Sequence, residues 1–257
     1  MSNLLKFARG NAKLGKHIHT FSLPAGFACP GALECLSKAN KETGKLTDGK
    51  FNRFRCFSAS QENQYPLVRA ARWHNFDLLR NAKTYQNMLD LIHKSIAALH
   101  KPTIIRIHVA GDFFSQDYFN AWAMIAATHQ KIAFYAYTKS LPYWIKQIEH
   151  LGNGRKDSSY FNRNFILTAS RGGKYDAMID IYKLRTAEVV FSLSEAKEKK
   201  LEIDHDDSHA QQFGESFALL LHGKQPAGSE ASKAETLLKK NGYSGYSKTT
   251  KFSLPTI

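Results

Sequence analysis

The sequence predicts an α/β protein: a partial (β/α) barrel, TIM-barrel-like, of about six to seven mostly parallel strands. Two observations carry that expectation. Runs such as TIIRIHVA and IAFYAYT are almost continuously apolar or β-branched, the composition of strands buried on both faces. Between such runs, apolar residues recur at three- and four-residue steps, as with Met88, Leu91, Ile92, Ile96 and Leu99, the pattern of an amphipathic helix. Strand–helix alternation at this spacing builds βαβ units around a parallel sheet. A doubly wound open sheet is the competing arrangement, but no glycine-rich dinucleotide fingerprint follows the first strand.

Taken in order, strands are expected at 17–23, 51–57, 103–109, 132–138, 164–170, 187–193 and 216–222. Helices are expected at 65–81, 84–100, 116–129 and 141–151. Pro102 stops one helix, and Ser115 is a good N-cap for the next. Residues 40–50, NKETGKLTDGK, read as a polar insertion. From Gln225 the chain is polar, with a short helix expected near 234–240 and a surface tail beyond it. The whole of 1–257 is expected to form one domain.

The chain has 257 residues, 43% hydrophobic and 12% aromatic, enough for a sizeable core. No stretch of about 20 apolar residues occurs, so no membrane-spanning helix is expected. The first residues lack a long apolar core and a cleavage signature, so a cytoplasmic location is expected. The net charge of +14 is uneven. Residues 1–110 hold 17 Lys and Arg against 6 Asp and Glu, and the remainder hold 19 against 16. Such an excess is the footprint of a polyanion partner, nucleic acid or nucleotide, or else of a solvated basic face. Lys50, Arg53, Arg69 and Arg72 are the residues expected to carry that surface.

The cysteines narrow the function. There are three, Cys29, Cys35 and Cys56, and none follows. An odd count argues against a closed disulfide framework, and a reducing compartment favours metal or catalytic roles. Three thiolates fall one short of a tetrahedral zinc or a cubane cluster, leaving a position open for a ligand. Structural thiols and a redox pair are the other readings.

The strand ends supply further candidates, because working residues of β/α barrels stand at the carboxyl ends of strands. Asp112 follows one strand, Lys139 the next, and Arg171, Gly172 and Gly173 a third. Asp112 also reads as a helix cap, Lys139 as a loop lysine, and the Arg-Gly-Gly run as a turn whose helix welcomes an anion. Asp204, His205, Asp206, Asp207 and His209 form an acidic cluster that reads equally as a solvated turn. Phe113, Phe114, Tyr118, Tyr135 and Tyr137 serve as core or as a stacking platform for a base.

FSLPAGFACPGALEC, RCFSASQ, RIHVAGDFFS, FYAYTKS and DDSHAQQFGESFALLLHGKQPAGS resemble the phage and plasmid "gene product 88" proteins over most of the chain. That family carries no established activity; a phage or plasmid origin implies a bacterial host cytoplasm. The order of cysteine loop, strand–GDFF–helix and strand–TK is similar, more distantly, to the radical S-adenosylmethionine (SAM) proteins. That resemblance implies a [4Fe-4S] cluster on Cys29, Cys35 and Cys56, with SAM on the open iron and reductive cleavage to a 5′-deoxyadenosyl radical. It implies Phe57 as the aromatic neighbour of the last cysteine. Asp112 and Lys139 would serve as catalytic and cofactor contacts, and Arg171, Gly172 and Gly173 as cofactor contacts. The gaps of five and twenty residues between cysteines depart from the usual three and two, so 40–50 must loop out to return Cys56. Two alternatives stand beside it. One is a zinc-bearing, base-exchanging transglycosylase with Asp112 as nucleophile and His17 or His19 completing the zinc site. The other is a non-catalytic nucleic-acid-binding protein stabilised by a metal.

Overall fold

The structure is a computed structural model and describes residues 3–10, 14–151 and 163–243. A mixed α/β architecture is built on one eight-stranded sheet. Its strands are β1 (Ala8–Arg9), β2 (Ile18–Thr20), β5 (Ile104–Ile107), β6 (Ala133–Thr138), β7 (Phe165–Ser170), β8 (Thr186–Val190), β9 (Glu202–Ile203) and β10 (Phe217–Leu220). The order is β1-β2-β5-β6-β7-β8-β10-β9, and β1 is antiparallel to its neighbour while the other pairings are parallel. The edge strands β1 and β9 do not pair with each other, so the sheet is not a closed barrel.

One face of the sheet is covered by helices. These include α2 (Pro66–Ala82), α3 (Tyr85–Ala97), α4 (Gln116–Thr128), α5 (Leu141–Leu151) and α6 (Ala177–Tyr182). Ile105, Ile107, Phe134, Phe165 and Leu167 pack there against Leu79, Ile92, Phe119, Trp122 and Ile145. The side-chain period of two puts the alternate residues on the other face, where Ile18, Tyr135, Ile166, Ala187 and Phe217 form a second cluster. Strands apolar on both faces thus made TIIRIHVA and IAFYAYT legible. Ser115 caps α4 as expected, its hydroxyl accepting from the Tyr118 amide at 3.2 Å.

Local details differ from expectation. No strand occupies 51–57: the segment turns, and helix α1 (Phe57–Gln64) begins at its end. FNRFRCF is rich in aromatic residues, as strands are, but its side chains are held by separate contacts. Phe51 is exposed, Arg53 pairs with Glu195, and Arg55 pairs with Asp48. The polar insertion is instead ordered around a hairpin of β3 (Ser37–Ala39) and β4 (Leu46–Asp48). Its turn is closed by Asn40, whose side-chain oxygen accepts from the amides of Glu42 and Thr43. The strand expected at 187–193 ends early because Ser192 caps α7 (Leu193–Glu198). Helix α8 (Glu230–Lys240) is longer than anticipated. The expected tail from 244 lies outside the described residues. No described helix is long and apolar enough to cross a membrane.

Candidate metal centre

Parallel strands release their chains at one edge, and the loops that leave it enclose a cavity of about 170 Å³. Its lining includes Cys29, Cys35, Cys56, Phe57, Asp112 and Lys139. The three cysteines, Phe57, Asp112 and Lys139 therefore meet in one place. The cysteines are thiols, not disulfides. Arg106 and Tyr137, from the inner face of β5 and β6, also reach it, as do Val189, Leu219 and His222.

The Cys29 loop is stitched to the strand ends. The Asp112 amide donates to the Ala28 carbonyl, Glu34 to Gly172, and Lys174 to Gly31. Gly31 is required there: a Cβ would stand 2.1 Å from the Lys139 carbonyl oxygen. The Gly26 amide donates to the Cys29 sulfur at 3.3 Å. Cys56 sits at the start of α1, where Gln225 clamps it: the Arg55 amide donates to Gln225 Oε1 at 2.8 Å, and Gln225 Nε2 donates back to the Arg55 carbonyl. At Gly223, with φ +88°, a Cβ would stand 2.6 Å from that of Phe57, so the β10 loop closes directly on the cysteine helix.

Asp112 is buried and fully engaged. Its carboxylate accepts from the Phe113 amide at 2.7 Å, the Thr138 hydroxyl at 2.7 Å and the Lys139 amide at 2.8 Å. Burial pushes its pKa up and these donors oppose the shift. Asp112 thus braces the β5 and β6 ends. The Lys139 ammonium donates to the Ser170 carbonyl and hydroxyl at 2.9 and 3.0 Å and to the Arg171 carbonyl. It is also the positive charge that favours the Cys35 thiolate.

The remaining candidates fall elsewhere. The Arg171 guanidinium pairs with Asp180 at 2.7 Å and does not line the cavity. The Gly172 and Gly173 amides both donate to Asp176, at 2.8 and 2.9 Å. This run positions the cysteine loop through its backbone. His17 and His19 lie at the start of β2, outside the cavity lining. The segment from Asp204 turns back along the inner face of the sheet, where Asp207 pairs with Arg106 and accepts from Tyr135 and Tyr137. Of the candidate stacking aromatics, Tyr137 lines the cavity, whereas Phe113 and Tyr118 are core. His108 would face inward by strand alternation, but its φ of +64° turns the ring into the core beside Phe113 and Tyr118.

The basic surface needs correction. Arg69 and Arg72 are buried at 7% and 4% exposure. Arg69 donates to the Lys41, Glu62 and Glu42 carbonyls. Arg72 donates to the Ser58 carbonyl and to Glu62, which is 0% exposed and accepts the Ala25 amide. A helix-borne arginine reads as surface charge until its carboxylate partner, here ten residues back, is located. Sequence reasoning does not single out Glu62 or Gln225, and it puts Arg72 on the surface rather than behind the cysteine helix.

Burial pushes all three thiols up, Cys35 to about 11. Cys29 is raised further by Asp112 and by the other two cysteines. At Cys56 the amides of Ala59 and Ser58 oppose the rise. Metal-free, the thiols are protonated at neutral pH, and loading a metal would release protons. Alkylation of Cys35 in the metal-free protein is therefore expected to be slow at pH 7–8 and to accelerate until about pH 11. Mass spectrometry of iodoacetamide-treated protein checks this; rapid modification at pH 7 would contradict the buried environment. Among the described residues, no group of three or more His, Cys, Asp or Glu side chains is disposed to hold a metal ion.

The fold and site define a mixed α/β protein with a cysteine-lined cavity at the carboxyl edge of a mostly parallel sheet. The family model described as "Gene product 88" matches residues 3–240, and the chain belongs to that family. The Gene 88 protein of Mycobacterium phage L5 is 29% identical over 139 residues, 51% of each chain. That of Mycobacterium phage D29 is 30% identical over 139 residues, 51% of this chain and 50% of the relative. The aligned region thus spans about half the length of these curated relatives. No solved structure gives a significant match.

Proposed function

We propose that this is an iron–sulfur protein built on a partial β/α barrel, with a [4Fe-4S] cluster held by Cys29, Cys35 and Cys56. The observation that carries the reading is that the chain's three thiols line one cavity with Asp112 and Lys139 at the parallel strand ends. A cubane cluster takes each thiolate on a different iron. It therefore asks for three soft donors around a cavity rather than a compact single-ion site. A tetrahedral zinc, with Zn–S bonds of about 2.3 Å, would need sulfurs roughly 4 Å apart. The bracing hydrogen bonds on both Asp112 oxygens weigh against its use as the nucleophile of the transglycosylase alternative.

A cluster with one open iron supplies electrons to a bound ligand, and SAM is the ligand the motif order favours. The chain's own residues would do the rest. Lys139 would offset the negative charge of the thiolates, Phe57 and the apolar wall would exclude water, and Asp112 would hold Lys139 in place. A nucleic acid or nucleotide substrate is favoured by the basic excess of the first 110 residues.

The test is iron content after anaerobic reconstitution. Cys29→Ser, Cys35→Ser and Cys56→Ser are each expected to lose most bound iron and the visible absorption, while Lys139→Met keeps the iron. Full iron loading of any one cysteine variant removes that residue from the ligand set.

A further inference from the structure

Beside the cysteine cavity runs a second, wider groove of about 480 Å³. Phe27, Trp73, Phe76, Phe114, Arg80 and Lys83 line most of it. We propose that this groove binds a short stretch of single-stranded nucleic acid and leads it to the cysteine cavity. The inference rests on the proposed function only in naming the cavity as the destination.

The groove combines the two elements that sequence-tolerant single-strand sites use: rings for bases, here the exposed Phe27 and half-buried Trp73, and cations for the backbone. Phe27 is 40% exposed on a loop tip and meets Trp73 edge to face at 4.8 Å. Cations flank the rings: Lys38 over Phe27 at 5.1 Å, Lys41 over Trp73 at 4.9 Å and Arg80 over Phe76 at 5.6 Å. Lys83 is exposed at the end of α2. Against these stand Asp117 and Asp77, the latter already paired with Lys41. The balance suits a polyanion. An apolar peptide would match the rings but offer nothing to Arg80 and Lys83.

The connection to the cavity is built into two loops. Phe27 lines the groove and Cys29, two residues on, lines the cavity. Likewise Phe114 lines the groove and Asp112 the cavity. Alternate residues of the same two loops therefore face the two spaces. A base stacked at Phe27 would sit on the loop that carries Cys29. Arg80 and Lys83 would supply here the cations that the internal Arg69 and Arg72 cannot.

The test is titration of the full chain with fluorescein-labelled dT and rU 12-mers, read by anisotropy and by tryptophan emission. Trp73 is half-buried and Trp122 and Trp144 are buried, so quenching reports on the groove. Binding is expected to quench emission, and Trp73→Phe should abolish the quench. Phe27→Ala should weaken affinity about tenfold. The Arg80→Ala/Lys83→Ala variant should lower the salt slope by roughly 1.4. A preference for dT or rU decides which nucleic acid is bound. Wild-type affinity in Phe27→Ala, an unchanged tryptophan signal, or equal binding of a duplex overturns the proposal. Iron loading without oligonucleotide binding defeats the groove alone; oligonucleotide binding without iron defeats the cluster alone.

Discussion

Replacing Arg72 by methionine is expected to destabilise the protein by about 3–5 kcal/mol, the cost of breaking a buried ion pair from one side. Arg72 donates to Glu62 at 2.8 Å, and Glu62 has no solvent exposure. Burial already pushes the Glu62 pKa up, and Arg72 is the largest influence holding it down. Without Arg72 a carboxylate is stranded beside the Cys29 loop, where it accepts the Ala25 amide. The folded-state pKa then rises further above the unfolded value. The penalty is present above the folded pKa and fades as pH falls through it, because protonation removes the stranded charge. Urea midpoints at pH 5 and pH 8 check this. The Glu62→Gln/Arg72→Met double variant should recover much of the loss. A single variant within about 0.5 kcal/mol of wild type at pH 8 would show that the pair stabilises nothing.

Asp112→Ala is expected to cost about 3 kcal/mol or more, since it strands three buried donors at about 1–3 kcal/mol each. They are the Phe113 amide, the Thr138 hydroxyl and the Lys139 amide. Asp112→Asn should fall between, because one carboxylate oxygen becomes a donor that faces other donors. The loss should carry over to the site, because the strand ends that Asp112 joins also anchor the Cys29 loop. Denaturant unfolding and iron retention, measured together, check both effects. Unchanged stability in Asp112→Asn would mean that the carboxylate is kept for chemistry and does not serve as a brace.

These residues also show how far the sequence could be read. Strands buried on both faces advertise themselves, so β5, β6, β7 and β10 were legible. The strand-end rule located Asp112 and Lys139. The cysteines stood out by type and confinement. The rest depends on long-range pairing. Gln225 and Arg55 lie 170 residues apart and meet through one amide. Glu62 gives no sign of burial until Arg72 folds over it. Arg171 was drawn in by its neighbours, yet Asp180 takes its guanidinium and Asp176 takes the two glycine amides. FNRFRCF imitates a strand by its aromatic content, while Glu195 and Asp48, which hold Arg53 and Arg55 in a turn, lie elsewhere in the chain. Composition shows that residues suit a strand, and it is silent on the partners that bend the chain.

The most direct test of the metal-centre reading is iron and acid-labile sulfide analysis of the anaerobically purified wild-type protein, with its visible spectrum. The account predicts a brown protein with about four irons and four sulfides per chain. A colourless protein carrying one zinc, or none of these, would contradict it.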